Sequence, residues 1–210
     1  MIAVRRALAV LALAAVWAAG LAAPGLADHS GITPDTTPGA IDMMLGDPRA
    51  PIRIVEYSSM TCPHCAAFHN DVFPRIKADY IDTGKARLVY RDFPLDRVAL
   101  QAAVIARCGG ADGFFGFVEV LFRTQKSWAR SNDPIDALAR IGRLGGLKRE
   151  AIDACLADKT LVDSILAVRL HGEKEFGIGS TPTFIINGEK VVGARSYEHF
   201  KDLFDRIAPK

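Results

Sequence analysis

Residues 52–65 read Ile-Arg-Ile-Val-Glu-Tyr-Ser-Ser-Met-Thr-Cys-Pro-His-Cys and join an apolar run to a pair of cysteines. The first six residues are mostly apolar and rich in β-branched side chains, which is typical of a buried strand. Proline at position 63 favours the first turn of a helix, and residues 66–69 continue with Ala, Ala, Phe and His. The stretch therefore predicts a strand that leads directly into a helix, with both cysteines at the junction.

The start of a helix is a favourable place for a reactive thiol. Its first turn leaves backbone N–H groups without partners, and its dipole is positive at that end. A thiolate at Cys62 can accept hydrogen bonds there, and a protonated His64 adds positive charge, so the pKa of the thiol falls. Cys65 lies one turn further on, within reach of Cys62. We expect a redox-active Cys62–Cys65 disulfide with Pro63 and His64 completing the catalytic motif, Cys62 exposed and attacking, and Cys65 shielded.

Two other readings of the cysteine pair are weaker. A single Cys-x-x-Cys can be half of a zinc site, but the sequence has no second such pair. A purely structural disulfide is also possible. The Pro-His filler and the position between strand and helix favour redox chemistry, so no metal is predicted.

A second motif lies near the carboxyl end, where residues 179–184 read Gly-Ser-Thr-Pro-Thr-Phe. Proline can form a cis peptide bond at modest cost. A cis bond between Thr181 and Pro182 would turn the Thr181 backbone towards the cysteines, where it can pair with an extended substrate segment. Alone, Thr-Pro before a strand more often indicates an ordinary turn. Together with the upstream cysteines, it predicts that Thr181 and Pro182 bind substrate.

The remaining pattern predicts an α/β protein, a thioredoxin-like fold with an inserted helical domain. Further strands are expected at 86–93, 183–186 and 190–192, and Asn187-Gly188 is a strong hairpin signal between the last two. Helical periodicity dominates the region between the second strand and the third. The predicted boundaries are 41–94 and 177–210 for the thioredoxin-like domain and 95–176 for the helical insertion.

The amino terminus has the pattern of an export signal. Arg5 and Arg6 precede an Ala- and Leu-rich apolar run, and small residues precede a cleavage site after about Ala27. Residues 1–27 are therefore predicted to be a signal peptide and 28–40 a disordered leader. An uncleaved membrane anchor is the alternative, because the apolar run is close to spanning length.

Charge and cysteine content narrow the class of protein further. Removing the signal lowers Lys plus Arg from 26 to 24, equal to the 24 Asp plus Glu, so the mature chain is formally neutral. Phosphate binding needs a basic excess, which argues against nucleic acid as a partner. All four cysteines lie after the signal, and an even number in an exported protein indicates disulfides.

These motifs resemble those of the bacterial DsbA-type thiol oxidases, the periplasmic branch of the thioredoxin superfamily, and DsbA-like proteins of α-proteobacteria in particular. The similarity extends from about Met43 to the last helix and includes Ile-Val-Glu-Tyr at 54–57, Cys-Pro-His-Cys at 62–65 and Gly-Ser-Thr-Pro-Thr-Phe-Ile-Ile-Asn-Gly at 179–188. The Cys-Pro-His-Cys filler is characteristic of the oxidising members.

The resemblance implies a thiol:disulfide oxidoreductase that introduces disulfides into exported proteins. It implies reduced exported proteins as substrates, a membrane DsbB-type quinone-linked reoxidase as partner, a periplasmic location and no cofactor. A disulfide isomerase or reductase of the same fold is one alternative. Those enzymes often carry a dimerisation domain, for which residues 28–50 are too short, so a monomer is expected. A periplasmic chaperone-like binding protein is the other alternative.

Two further residues are interpreted through the resemblance. Glu56 occupies the position of the family's buried acid, where it can handle protons during exchange; a strand-edge glutamate that points to water is the alternative. Thr181 departs from the Val that strongly oxidising members often carry before the proline, which leaves the redox potential open.

Cys108 and Cys155 both fall in the helical insertion at 95–176, called the helical block below, as in some α-proteobacterial relatives. A structural Cys108–Cys155 disulfide would close a loop of 47 residues, worth about 4 kcal/mol in the chain-entropy model. A pair of free buried thiols is the alternative.

Overall fold

The structure, a computed structural model, describes residues 42–208. The predicted signal peptide at 1–27 and the predicted leader at 28–40 lie outside the described residues. Within them, no helix is both long and apolar enough to cross a lipid bilayer.

Five strands form one mixed sheet. In chain order they are β1 (Met43–Leu45), β2 (Ile52–Ser58), β3 (Ala86–Asp92), β4 (Thr183–Ile186) and β5 (Glu189–Val192). Their order across the sheet is β1-β3-β2-β4-β5, with β2 and β3 parallel and the other neighbours antiparallel. The last four strands match the predicted ones to within one residue at either end, whereas β1 has no counterpart among the predictions.

Strand β2 is the central strand, and this explains its weak alternation of polar and apolar residues. Glu56 lies opposite Tyr90 of β3 and Phe184 of β4. A strand with neighbours on both edges and helices over both faces has little contact with water, so both faces are apolar. Six of the seven residues of β2 are buried.

Helices make up most of the remaining chain between residues 42 and 208. They are α1 (Pro63–Ala67), α2 (Phe73–Ile76), α3 (Arg97–Cys108), α4 (Gly110–Arg123), α5 (Gln125–Trp128), α6 (Pro134–Leu144), α7 (Arg149–Ala157), α8 (Lys159–Phe176) and α9 (Tyr197–Ile207). Two π-helical turns, Phe68–Val72 and Lys77–Ile81, make the segment from α1 to Ile81 continuous.

The starts and ends of these helices follow local chemistry. Asp96, Asp158 and Ser196 accept hydrogen bonds from the first-turn N–H groups of α3, α8 and α9, as helix caps do. Helix α8 ends at Gly177, whose φ of 56° lies in the left-handed region that glycine adopts at low cost. The predicted hairpin turn also has positive φ, 46° at Asn187 and 92° at Gly188.

Helices cover both faces of the sheet. Residues of the 63–81 segment and of α9 pack with Ile52, Ile54 and Phe184 on one face. Helix α8 approaches the other face so closely that a Cβ added to Gly172 would lie 2.5 Å from Cε1 of Tyr57. The cysteine-bearing end of the sheet shares one apolar cluster with α3, α4 and α6.

The helical block is joined to the sheet and to itself by polar links. The guanidinium of Arg107 on α3 lies 2.5 Å from the carboxylate of Asp92 on β3, and both side chains are buried. Cys108 and Cys155 form a disulfide that ties α3 to α7, with their Cα atoms 6.1 Å apart.

Candidate active site

The two motif cysteines lie where β2 gives way to α1. Cys62 is the residue before the first turn of α1, and its carbonyl accepts the Ala66 N–H at 3.1 Å. Pro63 and His64 are exposed, whereas Cys65 is fully buried. Cys62 is itself buried, with only 5% of its surface exposed, and its sulfur lies against the Thr181 carbonyl, so the expectation of an exposed attacking thiol is wrong.

The surroundings of Cys62 favour its thiolate. A hydrogen bond from the Cys65 side chain is the largest influence, and it outweighs burial, which acts in the opposite direction. The Thr181 side chain and the backbone N–H groups of Cys65 and His64 add smaller hydrogen bonds. Together they lower the pKa of Cys62 from 9.0 to about 5, so the thiol is ionised at neutral pH.

The surroundings of Cys65 favour its neutral thiol. Burial raises the pKa of Cys65 well above its ordinary value, and the charges of Cys62 and Glu56 act in the same direction. The two sulfurs therefore differ strongly in acidity. This asymmetry suits one cysteine that leaves readily as a thiolate and one that is kept protonated.

The Thr181–Pro182 peptide bond is cis. Sγ of Cys62 lies 3.2 Å from the Thr181 carbonyl oxygen, to which the protonated form of the thiol donates, so the backbone before the proline faces the motif. Apart from the contact with Cys62 that helps to lower the pKa of that thiol, the buried Thr181 hydroxyl has no hydrogen-bond partner of normal geometry. A backbone carbonyl beside a reactive sulfur can accept a hydrogen bond from an extended substrate.

Beneath the cysteines, Glu56 is fully buried and paired with a histidine. Nε2 of His69 lies 3.0 Å and 3.1 Å from the two carboxylate oxygens of Glu56. The alternative of a glutamate that points to water is wrong, because β2 is the central strand. His69 stacks on Phe122 with ring centroids 4.5 Å apart. Sequence reasoning gave His69 no role; its place one turn after Cys65, on the helix face towards β2, was the available signal.

The loop between β2 and α1 is joined to the helical block. The Thr61 hydroxyl donates to the Asp96 carboxylate at 2.7 Å. The buried side-chain amide of Gln125 donates to the carbonyls of Met60 at 2.8 Å and Cys62 at 2.9 Å. No local sequence pattern indicates these contacts, since Asp96 and Gln125 are more than 30 residues away from the loop.

The arrangement supports thiol chemistry. Within residues 42–208, no three His, Cys, Asp or Glu side chains converge in a way that could hold a metal ion. A low-pKa thiol beside a second thiol can form, break and exchange disulfides through a mixed disulfide.

Comparison with known proteins places this geometry in a family. Residues 40–206 match the family described as Thioredoxin. A putative protein-disulfide oxidoreductase of Rickettsia bellii is 38% identical over 148 residues, 70% of this chain and 57% of the relative. One of Rickettsia prowazekii is 40% identical over 149 residues, 70% and 54% of the two chains. This chain therefore spans little more than half the length of these curated relatives.

A crystal structure gives a more complete match. Alpha-DsbA1 of Wolbachia pipientis is 37% identical, with a TM-score of 0.75 over 79% of this chain and 90% of the other. The sheet, the cysteine pair at a helix start and the cis-proline opposite define a protein of the thioredoxin fold with helices inserted between β3 and β4. The chain belongs to the thioredoxin family, among its DsbA-like members. The predicted fold class and family resemblance are thereby confirmed.

Proposed function

We propose that this protein is a thiol:disulfide oxidoreductase that introduces disulfides into exported proteins, with Cys62 and Cys65 as its redox-active pair. The opposite shifts of the two thiol pKa values are the observation that carries the proposal. A stabilised Cys62 thiolate favours the reduced enzyme, and this makes the oxidised enzyme a strong oxidant.

The reaction runs through a mixed disulfide. A substrate thiolate attacks Sγ of Cys62 in the oxidised enzyme, the Cys62–Cys65 bond breaks, and Cys65 leaves and takes up a proton. The second substrate thiolate then attacks the substrate sulfur that is bonded to Cys62. The mixed disulfide breaks, and Cys62 leaves as a thiolate. The substrate gains a disulfide, and the enzyme holds the two electrons as a reduced pair.

The residues around the pair have supporting roles in this reaction. Pro63 and His64 occupy the exposed start of α1, where they meet the substrate first. The cis Thr181–Pro182 segment binds the substrate backbone next to Cys62. Glu56, beneath Cys65, is the group through which a proton moves to or from that thiol, in keeping with its effect on the pKa of Cys65.

The cellular setting is part of the same proposal. The signal pattern at 1–27 and the DsbA-like relatives support export to the periplasm, where the substrates are reduced proteins. Reoxidation falls to a membrane DsbB-type partner linked to quinone, and the enzyme acts as a monomer without a cofactor.

The deciding experiment is the equilibrium of the Cys62–Cys65 pair against a glutathione buffer, using mature protein in which the state of Cys108 and Cys155 is mapped by mass spectrometry. A tenfold change in the equilibrium constant corresponds to about 30 mV. We expect a potential well above that of the glutathione pool. A potential near that of thioredoxin would instead indicate a reductase kept reduced by a membrane donor.

The chaperone-like alternative is tested by a Cys62→Ser variant. We expect it to lose oxidation of a reduced model substrate, because the attacked sulfur is gone. Suppression of aggregation equal to that of the wild type, with no exchange activity in either protein, would favour the binding role.

A further inference from the structure

Gln125 is a buried polar side chain with an unusual pair of partners. It opens α5 in the helical block and is 7% exposed. Its amide nitrogen uses both hydrogens on the loop before α1, one on the Met60 carbonyl and one on the Cys62 carbonyl. A primary amide has only these two donor hydrogens, so its donating capacity is spent entirely on the loop.

The loop that Gln125 contacts sets the position of the Cys62 sulfur. The Cys62 N–H donates to the Ser59 carbonyl at 3.1 Å, and this closes a tight turn. The Cys62 carbonyl also accepts the first hydrogen bond of α1, from Ala66. Gln125 thus contacts the carbonyl of the residue at which the turn ends and the helix begins, a place from which it can influence the direction in which the chain leaves the strand.

The stabilisation of the thiolate depends strongly on this direction. The N–H groups of His64 and Cys65 lower the pKa of Cys62, and hydrogen bonds weaken steeply once their angle departs from linear. The effect of the helix dipole is likewise confined to the first turn. A small rotation at Cys62 would reduce both effects while leaving the fold intact.

We propose that Gln125 is a positioning residue for the redox pair: it holds the Met60 and Cys62 carbonyls so that the Cys62 thiolate lies over the first turn of α1. Through it the helical block takes part in setting the oxidising strength of a site that is otherwise built by the sheet and α1. This inference deepens the proposed function and rests on it for its consequence in the reaction.

The test compares two neighbouring substitutions. Gln125→Met keeps the length of the side chain and removes both donors. Thr124→Val removes the hydrogen bond at 2.7 Å from the adjacent hydroxyl to the Val120 carbonyl, which lies wholly within the helical block. For each protein, the pKa of Cys62 is measured from the thiolate absorbance, and the equilibrium constant from glutathione buffers.

We expect Gln125→Met to raise the pKa of Cys62 and to shift the glutathione equilibrium towards the oxidised enzyme by about threefold or more, equivalent to about 15 mV. Thr124→Val should leave both quantities at the wild-type values. Wild-type pKa and equilibrium values in Gln125→Met, whatever its thermal stability, would overturn the proposal.

A measurement on the unaltered protein covers the case in which Gln125→Met fails to fold. The side-chain amide protons of Gln125 should change their NMR shifts in the reduced protein with the same pH midpoint as the thiolate absorbance. Gln101, the other glutamine of the sequence, provides the reference resonance. Amide shifts of Gln125 that do not change over this titration would refute the positioning role.

The outcomes for the two proposals can be told apart. A thioredoxin-like potential in the wild type would overturn the proposed oxidase function. The difference in potential between Gln125→Met and the wild type would still test the role of Gln125.

Discussion

Among single side chains, the Glu56–His69 pair shows how much depends on one partner. The side chain of Glu56 has no exposure and that of His69 only 5%. A buried carboxylate left without its partner is costly, because the rest of the protein cannot replace the lost solvation. Removing one residue of the pair should therefore lower the free energy of unfolding by more than the intact pair adds to it.

His69→Phe should destabilise the protein by about 3 kcal/mol. The phenylalanine ring can still stack on Phe122. The change in stability therefore reports the loss of the hydrogen-bonding partner of Glu56 and not a loss of ring packing. Urea unfolding of the oxidised protein measures the change. Adding Glu56→Gln to His69→Phe should recover part of it, whereas a single variant as stable as the wild type would show that the pair is energetically neutral.

Among helices and strands, the contact between α8 and the sheet is set by a glycine. Gly172 lies against Tyr57 with no room for a Cβ. Tyr57 is fully buried and in ring contact with Phe93 and Phe176, so it cannot move aside easily. The spacing between the helix and the sheet therefore depends on the absence of one methyl group.

Gly172→Ala should lower the free energy of unfolding by about 1–3 kcal/mol, because the methyl group overpacks a dense contact. Gly116→Ala on α4 is the matched control, since a Cβ there meets no atom within 4 Å. The control should gain up to about 1 kcal/mol from helix propensity alone. Chemical denaturation of both variants gives the comparison, and equal effects of the two substitutions would contradict this account of α8.

The same elements show what the sequence could predict. Strands β2 to β5 and the Asn187-Gly188 turn carry local signals, namely β-branched runs and a dipeptide that tolerates positive φ, so their positions were predicted closely. Strand β1 has only three residues and exists because β3 offers it an edge. Gln125 and His69 have roles only through partners brought together by the fold. The spacing of one turn from Cys65 is the single local signal for His69, and the sequence around Gln125 contains none.

For the whole molecule, the redox state of the pair and the stability of the fold are linked through pH. The folded pKa of Cys62 is about 5 against an ordinary 9.0. A depressed pKa stabilises the reduced fold above the unfolded value, and that stability is lost as the pH falls through the folded value. The oxidised protein lacks the effect, because disulfide sulfurs do not titrate.

The stability of the reduced protein relative to the oxidised one should therefore fall steadily as the pH is lowered from about 9 to about 5. Above pH 9 the raised pKa of Cys65 acts in the opposite direction, so the advantage declines again. Urea unfolding of both redox forms across this range measures the difference, with a double Cys62→Ser, Cys65→Ser protein reporting all other titrating groups. A difference that does not change with pH would contradict a low pKa for Cys62.

The hydrogen bonds from Thr61 to Asp96 and from Gln125 to the Met60 and Cys62 carbonyls have one more consequence. These hydrogen bonds restrain the loop that carries Cys62, so we expect most of the adjustment that aligns the three sulfurs of the exchange reaction to come from the substrate chain. A substrate protein whose cysteines lie in a flexible, unfolded segment can adopt that alignment, whereas a substrate that is already folded cannot. Under the proposed function, the protein would therefore favour substrates early in their folding.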